Sequence, residues 1–184
     1  TETHVARLAA LAALHDAGKV NHGFQNRAWS DRRPRGGHVQ PILDFLNDRG
    51  DVSDGVLQAL GLREIAAQGW FDEPVALEDM LKATWGHHGR PVQPEAGGFD
   101  PRLWRPNEAR APLDQLEELR DSIEAWFPEA FESSDDAPFP KTADFQHAFN
   151  GVLTLADWLG SDTLFFPFAE AGLNDSEVIE RTRE

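Results

Sequence analysis

Apolar residues recur every three or four positions along most of the chain, and that spacing predicts helices. Val5, Leu8, Ala9, Leu11, Ala12 and Leu14 mark one face of a helix that runs into His15-Asp16. Ala17-Gly18-Lys19 loosens it. Residues 21–41 read as a loop, broken by Asn21, Gly23, Ser30, Pro34, Gly36, Gly37 and Pro41. Helices are predicted at 39–48, on Val39, Ile42, Leu43 and Leu46, and at 53–68, on Val56, Leu57, Leu60 and Ile65. Asp72-Glu73-Pro74 opens another, since acids and proline suit a first turn. It continues through Leu77, Met80, Leu81 and Trp85 to His87-His88, where Gly89 and Pro91 end it. Residues 90–112 are rich in Gly, Pro, Arg and Trp and read as irregular. Leu113, Leu116, Leu119, Ile123, Trp126 and Phe127 form the apolar side of a helix whose outer face is acidic. A Pro/Asp/Ser loop is predicted at 128–141 and a long helix at 142–160, carrying Phe145, Phe149, Val152, Leu153, Ala156 and Leu159. The tail has room for a last helix near 175–182. Runs of period two are missing and no segment repeats. The pattern therefore predicts an all-α, single-domain bundle of roughly seven helices over 1–184.

Composition narrows the chemistry. Hydrophobic residues make up 40% of the 184, enough to fill one core. Lys and Arg total 17 against 32 Asp and Glu, a formal charge of −15. That balance argues against a protein that coats duplex DNA through a basic face. It leaves room for a nuclease whose positive charge comes from bound metal. The chain has no cysteine, which excludes disulfides and thiolate metal sites. A metal here would have to take His, Asp or Glu. No stretch approaches the ~18 apolar residues of a membrane span, and no signal peptide is recognisable. The expectation is a soluble, cytoplasmic protein with no membrane partner. Thr1 opens the chain directly in a helix, which reads as a natural start lying upstream.

Six residues then stand out: His15, Asp16, His38, His87, His88 and Asp157. A lone histidine at a helix end is ordinarily a cap or a packed core residue. Here His15-Asp16 and His87-His88 each end a strongly apolar helix, and Asp157 lies within the most apolar one. Polar groups taken into such surroundings must be paired or ligated. Three apolar helices carrying His or Asp inward suit a metal site in a helical bundle. His4 shares a helix face with His15, but eleven residues at about 1.5 Å each separate them by roughly 16 Å. His4 therefore reads as a terminal surface residue, and His22 and His147 as structural or solvent-exposed.

His15-Asp16-Ala17-Gly18-Lys19 resembles the HD-x-G-K signature of the HD phosphohydrolase superfamily. The ordered set that follows is narrower: Phe24-Gln25, Gly37-His38, His87-His88-Gly89, then Ala156-Asp157-Trp158-Leu159-Gly160-Ser161. Together these resemble the HD nuclease domain of the CRISPR-associated type I helicase-nuclease. The resemblance implies two metal ions in a helical pocket, bridged by Asp16. It assigns His15 and Asp157 to the first ion and His38, His87 and His88 to the second. Lys19 and Ser161 would contact substrate phosphate, and Ser161 shares a helix face with Asp157 at i+4. The family also carries a further His on an earlier helix, which this chain does not supply. Either a helix before Thr1 bears it, another residue substitutes, or the first position stays empty; the helix-first start favours the upstream helix. Val39-Gln40-Pro41 follows His38, where relatives often carry Glu.

These residue types suit phosphodiester hydrolysis. Divalent ions supply a nucleophile near neutral pH and clamp the phosphoryl oxygens. Mixed His/Asp ligation suits manganese, iron, cobalt, nickel or zinc better than calcium, and no organic cofactor is implied. Residues 27–35 hold Arg27, Arg32, Arg33 and Arg35 against Asp31 alone, a net +3 between two ligand motifs. Arg90, Arg102, Arg105 and Arg110 surround a second irregular stretch with Trp104. Arginines beside aromatics suit a single strand. The expected activity is metal-dependent hydrolysis of single-stranded DNA. By resemblance, the expected partners are a helicase domain or subunit and the Cascade complex. No G-x-x-x-x-G-K-[ST] motif occurs, so ATP-driven unwinding would come from elsewhere. The alternatives are an HD phosphohydrolase acting on nucleotides or cyclic dinucleotides, and a degenerate metal-binding interaction module.

Overall fold

The structure is a computed structural model that describes residues 1–29, 33–89 and 92–165. Its described residues form nine α-helices joined by short 3-10 turns, with one isolated β-bridge between Phe71 and Phe139. Helix α1 (Glu2–Ala13) is capped by the Thr1 hydroxyl, which accepts from the His4 amide. It turns through His15-Asp16 into a 3-10 turn, Ala17–Val20. Helix α2 (His22–Gln25) interrupts the predicted loop. Its cap, Asn21, is fully buried, accepts from the Phe24 amide and donates to the Gly18 and Gly37 carbonyls. These bonds tie both ends of the 18–37 excursion together.

Helix α3 (Val39–Leu43) tightens to a 3-10 turn at Asp44–Asn47, so the predicted 39–48 helix is α-helical only in its first half. The buried Asp44 carboxylate there accepts from the Glu95 amide at 2.7 Å and from Gln40, anchoring the 90s loop. The predicted 53–68 helix is two, α4 (Asp51–Ala59) and α5 (Leu62–Ala67). Gly61 breaks it at φ +63°, a left-handed position that favours glycine. Helix α6 (Pro74–Trp85) carries proline in its first turn, as expected. Helix α7 (Pro112–Trp126) holds its acids outward, with Asp114, Glu117, Glu118, Asp121 and Glu124 all exposed. Helix α8 (Pro128–Phe131) occupies the start of the predicted 128–141 loop. Helix α9 (Ala143–Ser161) is capped by Thr142. The count exceeds seven because two elements are single turns and one predicted helix is split. The 175–182 segment lies outside the described residues. No helix among the described residues is long and apolar enough to cross a membrane.

The core is continuous from α1 to α7. Leu11, Ile42, Leu43, Val56, Leu60, Met80, Trp85, Trp104 and Leu116 are all fully buried in it. Trp104 is thus a core residue, stacked on Phe99, rather than a surface ring for nucleic acid. α1 packs on α8, α4 on α7 and α6 on α9. Arg7 is buried as well, donating to the Ala130 carbonyl and lying over the Trp70 ring. The apolar stripe of α9 meets expectation only in its first half. Leu153 is buried and Phe145 and Phe149 pack against the core, but Val152, Ala156 and Leu159 are exposed, as are their neighbours Leu155 and Trp158.

Two contacts set the position of the histidines. The Trp85 indole donates to the Leu14 carbonyl at 3.0 Å, locking the end of α6 to the end of α1. Gly18 approaches the His38 backbone so closely that a Cβ would stand 1.9 Å from the His38 carbonyl oxygen. Only glycine permits that approach. Gly18→Ala is expected to lower stability by about 2 kcal/mol or more, by overpacking against backbone. Urea unfolding read at constant m-value measures it. An unchanged midpoint would show that the 18–38 contact yields freely.

Candidate metal centre

Four chain segments meet at the open end of the core. The break after α1 supplies His15 and Asp16, the residue before α3 is His38, the turn after α6 supplies His87 and His88, and α9 supplies Asp157. One side chain on α9 holds that helix against the histidine turn, the Thr154 hydroxyl donating to the His87 carbonyl at 2.7 Å. Asn150, one turn earlier, donates to the Ala83 carbonyl.

Backbone carbonyls fix the tautomers. His15 Nδ1 lies 2.8 Å from the Ala12 carbonyl, and His87 Nδ1 lies 3.1 Å from the Thr84 carbonyl. A carbonyl only accepts, so each Nδ1 carries the proton and each Nε2 points into the cluster. Carbonyl partners of this kind orient metal-ligating histidines.

Asp16 stands in the middle. Its Oδ2 faces His15 Nε2 at 3.2 Å and accepts from the Lys19 ammonium. Its Oδ1 faces the other way, 3.4 Å from His38 Nε2 and 3.8 Å from His87 Nε2. Asp157 Oδ1 lies 3.5 Å from His15 Nε2. His38 and His88 bring their Nε2 atoms to 3.0 Å. Ligand atoms of His38, His87 and His88 lie within 4.8 Å of one another, and so do those of His15, Asp16 and His87. The first group brings together the three residues assigned to one ion. The second places His87 with His15 and Asp16 and leaves out Asp157, which reaches only His15 among the described residues, a sharing that the sequence did not suggest.

Burial makes the cluster demanding. Asp16 Oδ1 and His87 Nε2 are both buried without a hydrogen-bond partner among the described residues. With Nδ1 protonated, His87 Nε2 is a lone pair, and Asp16 Oδ1 is another. Two lone pairs facing each other in a desolvated place need a proton or a cation between them. The donor set, imidazole nitrogen and carboxylate oxygen, suits a divalent transition metal.

The ionisation pattern divides the cluster. Burial opposes the charge of Asp16, but hydrogen bonds and charge from His15 and Lys19 outweigh it and hold the carboxyl well below its ordinary range. His15 is raised: burial works against its charge, and the bond and charge of Asp16, with the Ala12 carbonyl and Asp157, more than offset it. His38 is lowered to about 4, mainly by burial, with Asp16 pulling it up and His88 and Lys19 pushing it down. His87 is lowered, again mainly by burial, then by its histidine neighbours. His38 and His87 are therefore neutral at pH 7, the form that binds metal.

The remaining predicted residues divide. Lys19 touches Asp16, as above. Ser161 ends α9, one turn beyond Asp157, and is exposed. Arg27, Arg33 and Arg35 are exposed on the loop after α2, while Arg32 and Arg90 lie outside the described residues. His22 is structural, its Nε2 2.8 Å from the Arg105 carbonyl, and His147 is exposed. His4 is tied to the Ala137 carbonyl, away from the cluster. Sequence reasoning left Asn21, Thr84 and Thr154 without roles. Thr84 holds the His87 ring through its backbone carbonyl, Thr154 holds the His87 backbone through its hydroxyl, and Asn21 ties the Gly18 and Gly37 carbonyls together; only Asn21, a cap-type residue before a short helical turn, gives a local signal.

A family model described as the HD domain of Cas3 matches residues 1–166. The CRISPR-associated endonuclease/helicase Cas3 of Thermus thermophilus is 28% identical over 178 residues, which cover 91% of this chain and 18% of that protein. This chain thus spans less than a fifth of that relative's length. No solved structure matches the chain.

The metal-free protein is expected to lose stability as pH falls from about 6.5 toward 4. In that window the unfolded chain takes up protons that folded His38 and His87 exclude, so acid favours unfolding. His15 acts oppositely and only above about 6.5, where its raised pKa lets the unfolded chain lose its proton first. The loss between pH 7 and pH 5 should be on the order of 1–2 kcal/mol. Urea midpoints of chelator-treated protein measure it, with His38→Asn expected to flatten the dependence. Equal midpoints for wild type at both pH values would overturn this account.

Proposed function

The chain belongs to the Cas3 HD domain family, a CRISPR-associated nuclease family, and from that premise we propose that it is a metal-dependent nuclease that hydrolyses phosphodiester bonds of single-stranded DNA. The observation that carries the reading is the pair of buried, unpartnered acceptors, Asp16 Oδ1 and His87 Nε2, facing each other among four further potential ligands. His15, Asp16 and Asp157 would hold a cation on one side, and His38, His87 and His88 on the other, with Asp16 between them and His87 within reach of both. Divalent ions bound there supply Lewis acidity and a nucleophile near neutral pH.

The chain's own residues supply the rest. Asp16 is held ionised by His15 and Lys19, so it stays a charged ligand across the physiological range. Neutral His38 and His87 offer lone pairs without first losing a proton. Lys19 keeps 43% of its side chain exposed while its ammonium touches Asp16, a position suited to meeting a substrate phosphate from the solvent side. Ser161, at the exposed end of α9, is assigned the same role. His88 is exposed, so the centre opens outward and suits a polymer laid across it better than an enclosed mononucleotide. We further propose that the domain works with a helicase region or subunit, in Cascade-directed interference. The relative named as an endonuclease/helicase supports that pairing.

Asp16→Asn keeps the shape of the side chain and removes its charge. Cleavage of circular single-stranded DNA with manganese, nickel or cobalt should fall by about 100-fold or more, with far-UV circular dichroism unchanged. Wild-type-like cleavage by the variant would refute the assignment. Release of phosphate or nucleoside from a nucleotide panel, with DNA untouched, would favour a nucleotide phosphohydrolase instead.

A further inference from the structure

A row of rings and cations leads from the metal centre to the surface. The Phe24 ring stands edge-on to His38, with centroids 5.2 Å apart. Lys19 Nζ lies 5.9 Å and Arg27 Cζ 5.3 Å from the centre of the same ring. One 3-10 turn further along is Trp29, 48% exposed, with Arg33 Cζ 4.9 Å from its ring centre. The returning chain is tied to the outgoing chain at three points. Arg35 donates to the Trp29 carbonyl, Asn26 donates to the Pro34 carbonyl at 2.9 Å, and the Gly36 amide donates to the Gly23 carbonyl at 2.9 Å. Beside the loop lies a recess of about 440 Å³ whose lining includes Asn26, Arg33, Asn107 and Arg110.

The indole of Trp29 is held half open beside a guanidinium. The loop is also positive in a chain of charge −15, with Arg27, Arg32, Arg33 and Arg35 against Asp31. Exposed aromatics flanked by arginines serve single strands: each base has a π face to stack, and each phosphate a charge to meet. A duplex offers the phosphates but no open base face, because its bases already stack on one another.

We propose that Trp29 is a base-stacking platform that, with Arg27, Arg33 and Arg35 along the phosphates, guides a single strand past Phe24 to the metal centre. This rests on the nuclease reading for its destination, but its binding test does not. Trp29 is a positioning residue: it acts on where the strand lies, not on the reacting atoms.

The test uses labelled oligo(dT) and duplex of equal length with chelator-treated protein at low salt. Trp29→Ala should weaken single-strand binding by about 10-fold or more, and Trp29→Phe should retain most of it. Duplex binding should not change. In metal-loaded protein, Trp29→Ala should raise KM for single-stranded DNA with kcat and turnover of bis(4-nitrophenyl) phosphate unchanged. Single-strand affinity equal to wild type would overturn the platform, and so would an equal loss on duplex. The two failures are distinguishable. Cleavage that is indifferent to Trp29 removes the platform and keeps the nuclease. Trp29-dependent binding without cleavage under any metal supports the platform and removes the nuclease.

Discussion

Asp16 Oδ1 and His87 Nε2 face each other at 3.8 Å, both buried and both without a donor. Left alone, that arrangement is unfavourable, because each atom has lost water and gained nothing. Much of the local architecture serves to hold it. The Trp85 indole on the Leu14 carbonyl fixes the two helix ends that carry the pair. The Thr84 carbonyl accepts a hydrogen bond from His87 Nδ1–H on the far side of the ring, so the Nε2 lone pair is held facing inward. The Gly18 approach brings His38 in against the same carboxylate. Each is a local packing or hydrogen-bonding event. Their joint result is a small volume lined with potential ligand atoms.

Much of this was legible in the sequence. Without cysteine, ligand chemistry is confined to His, Asp and Glu, and their placement at the ends of apolar helices is visible as a pattern. Hence His15, Asp16, His38, His87, His88 and Asp157 could be named before any geometry. Their partition could not. Whether His87 belongs with His38 and His88 or also with His15 depends on where a ring points across three segments, and spacing along one chain carries no such information. Trp104 shows a similar limit: arginines around a tryptophan look like a binding stretch, yet the indole closes the core against Phe99. The stripe on α9 shows the reverse. Periodicity reports that a face is apolar, not which neighbour covers it, and the described residues leave Val152 and Leu159 exposed.

Charge distribution resolves an apparent contradiction in the composition. A net −15 opposes a polyanion at long range. The exposed acids of α7 sit on the outer face of that helix, where solvent and salt screen them. Near the ligands the balance differs. Lys19 neutralises Asp16, Arg27 and Lys19 lie over Phe24, and Arg33 lies over Trp29. On the proposed reading, only short-range contact would reward such a layout: a strand would gain little attraction before it reached the loop, and would have to be delivered there rather than captured from afar.

The centre is also asymmetric in how firmly its parts are held, and this follows from burial. His87 and the Leu14–Trp85 junction are core. Asp16 is pinned by His15 and Lys19, and Gly18 locks the backbone behind it. Asp157, by contrast, comes from a helix whose outer stripe is uncovered, held near the site by Leu153 and by the hydrogen bonds of Asn150 and Thr154. His88 is exposed and leans on His38 alone among its hydrogen-bonding contacts in the described residues. The inner wall, Asp16 with His87, is therefore set by folding, and the two outer candidates, Asp157 and His88, by weaker local contacts. Because His87 lies within reach of both candidate groups, a change at the wall would be felt on both sides, whereas a change at either outer residue would be felt first on its own.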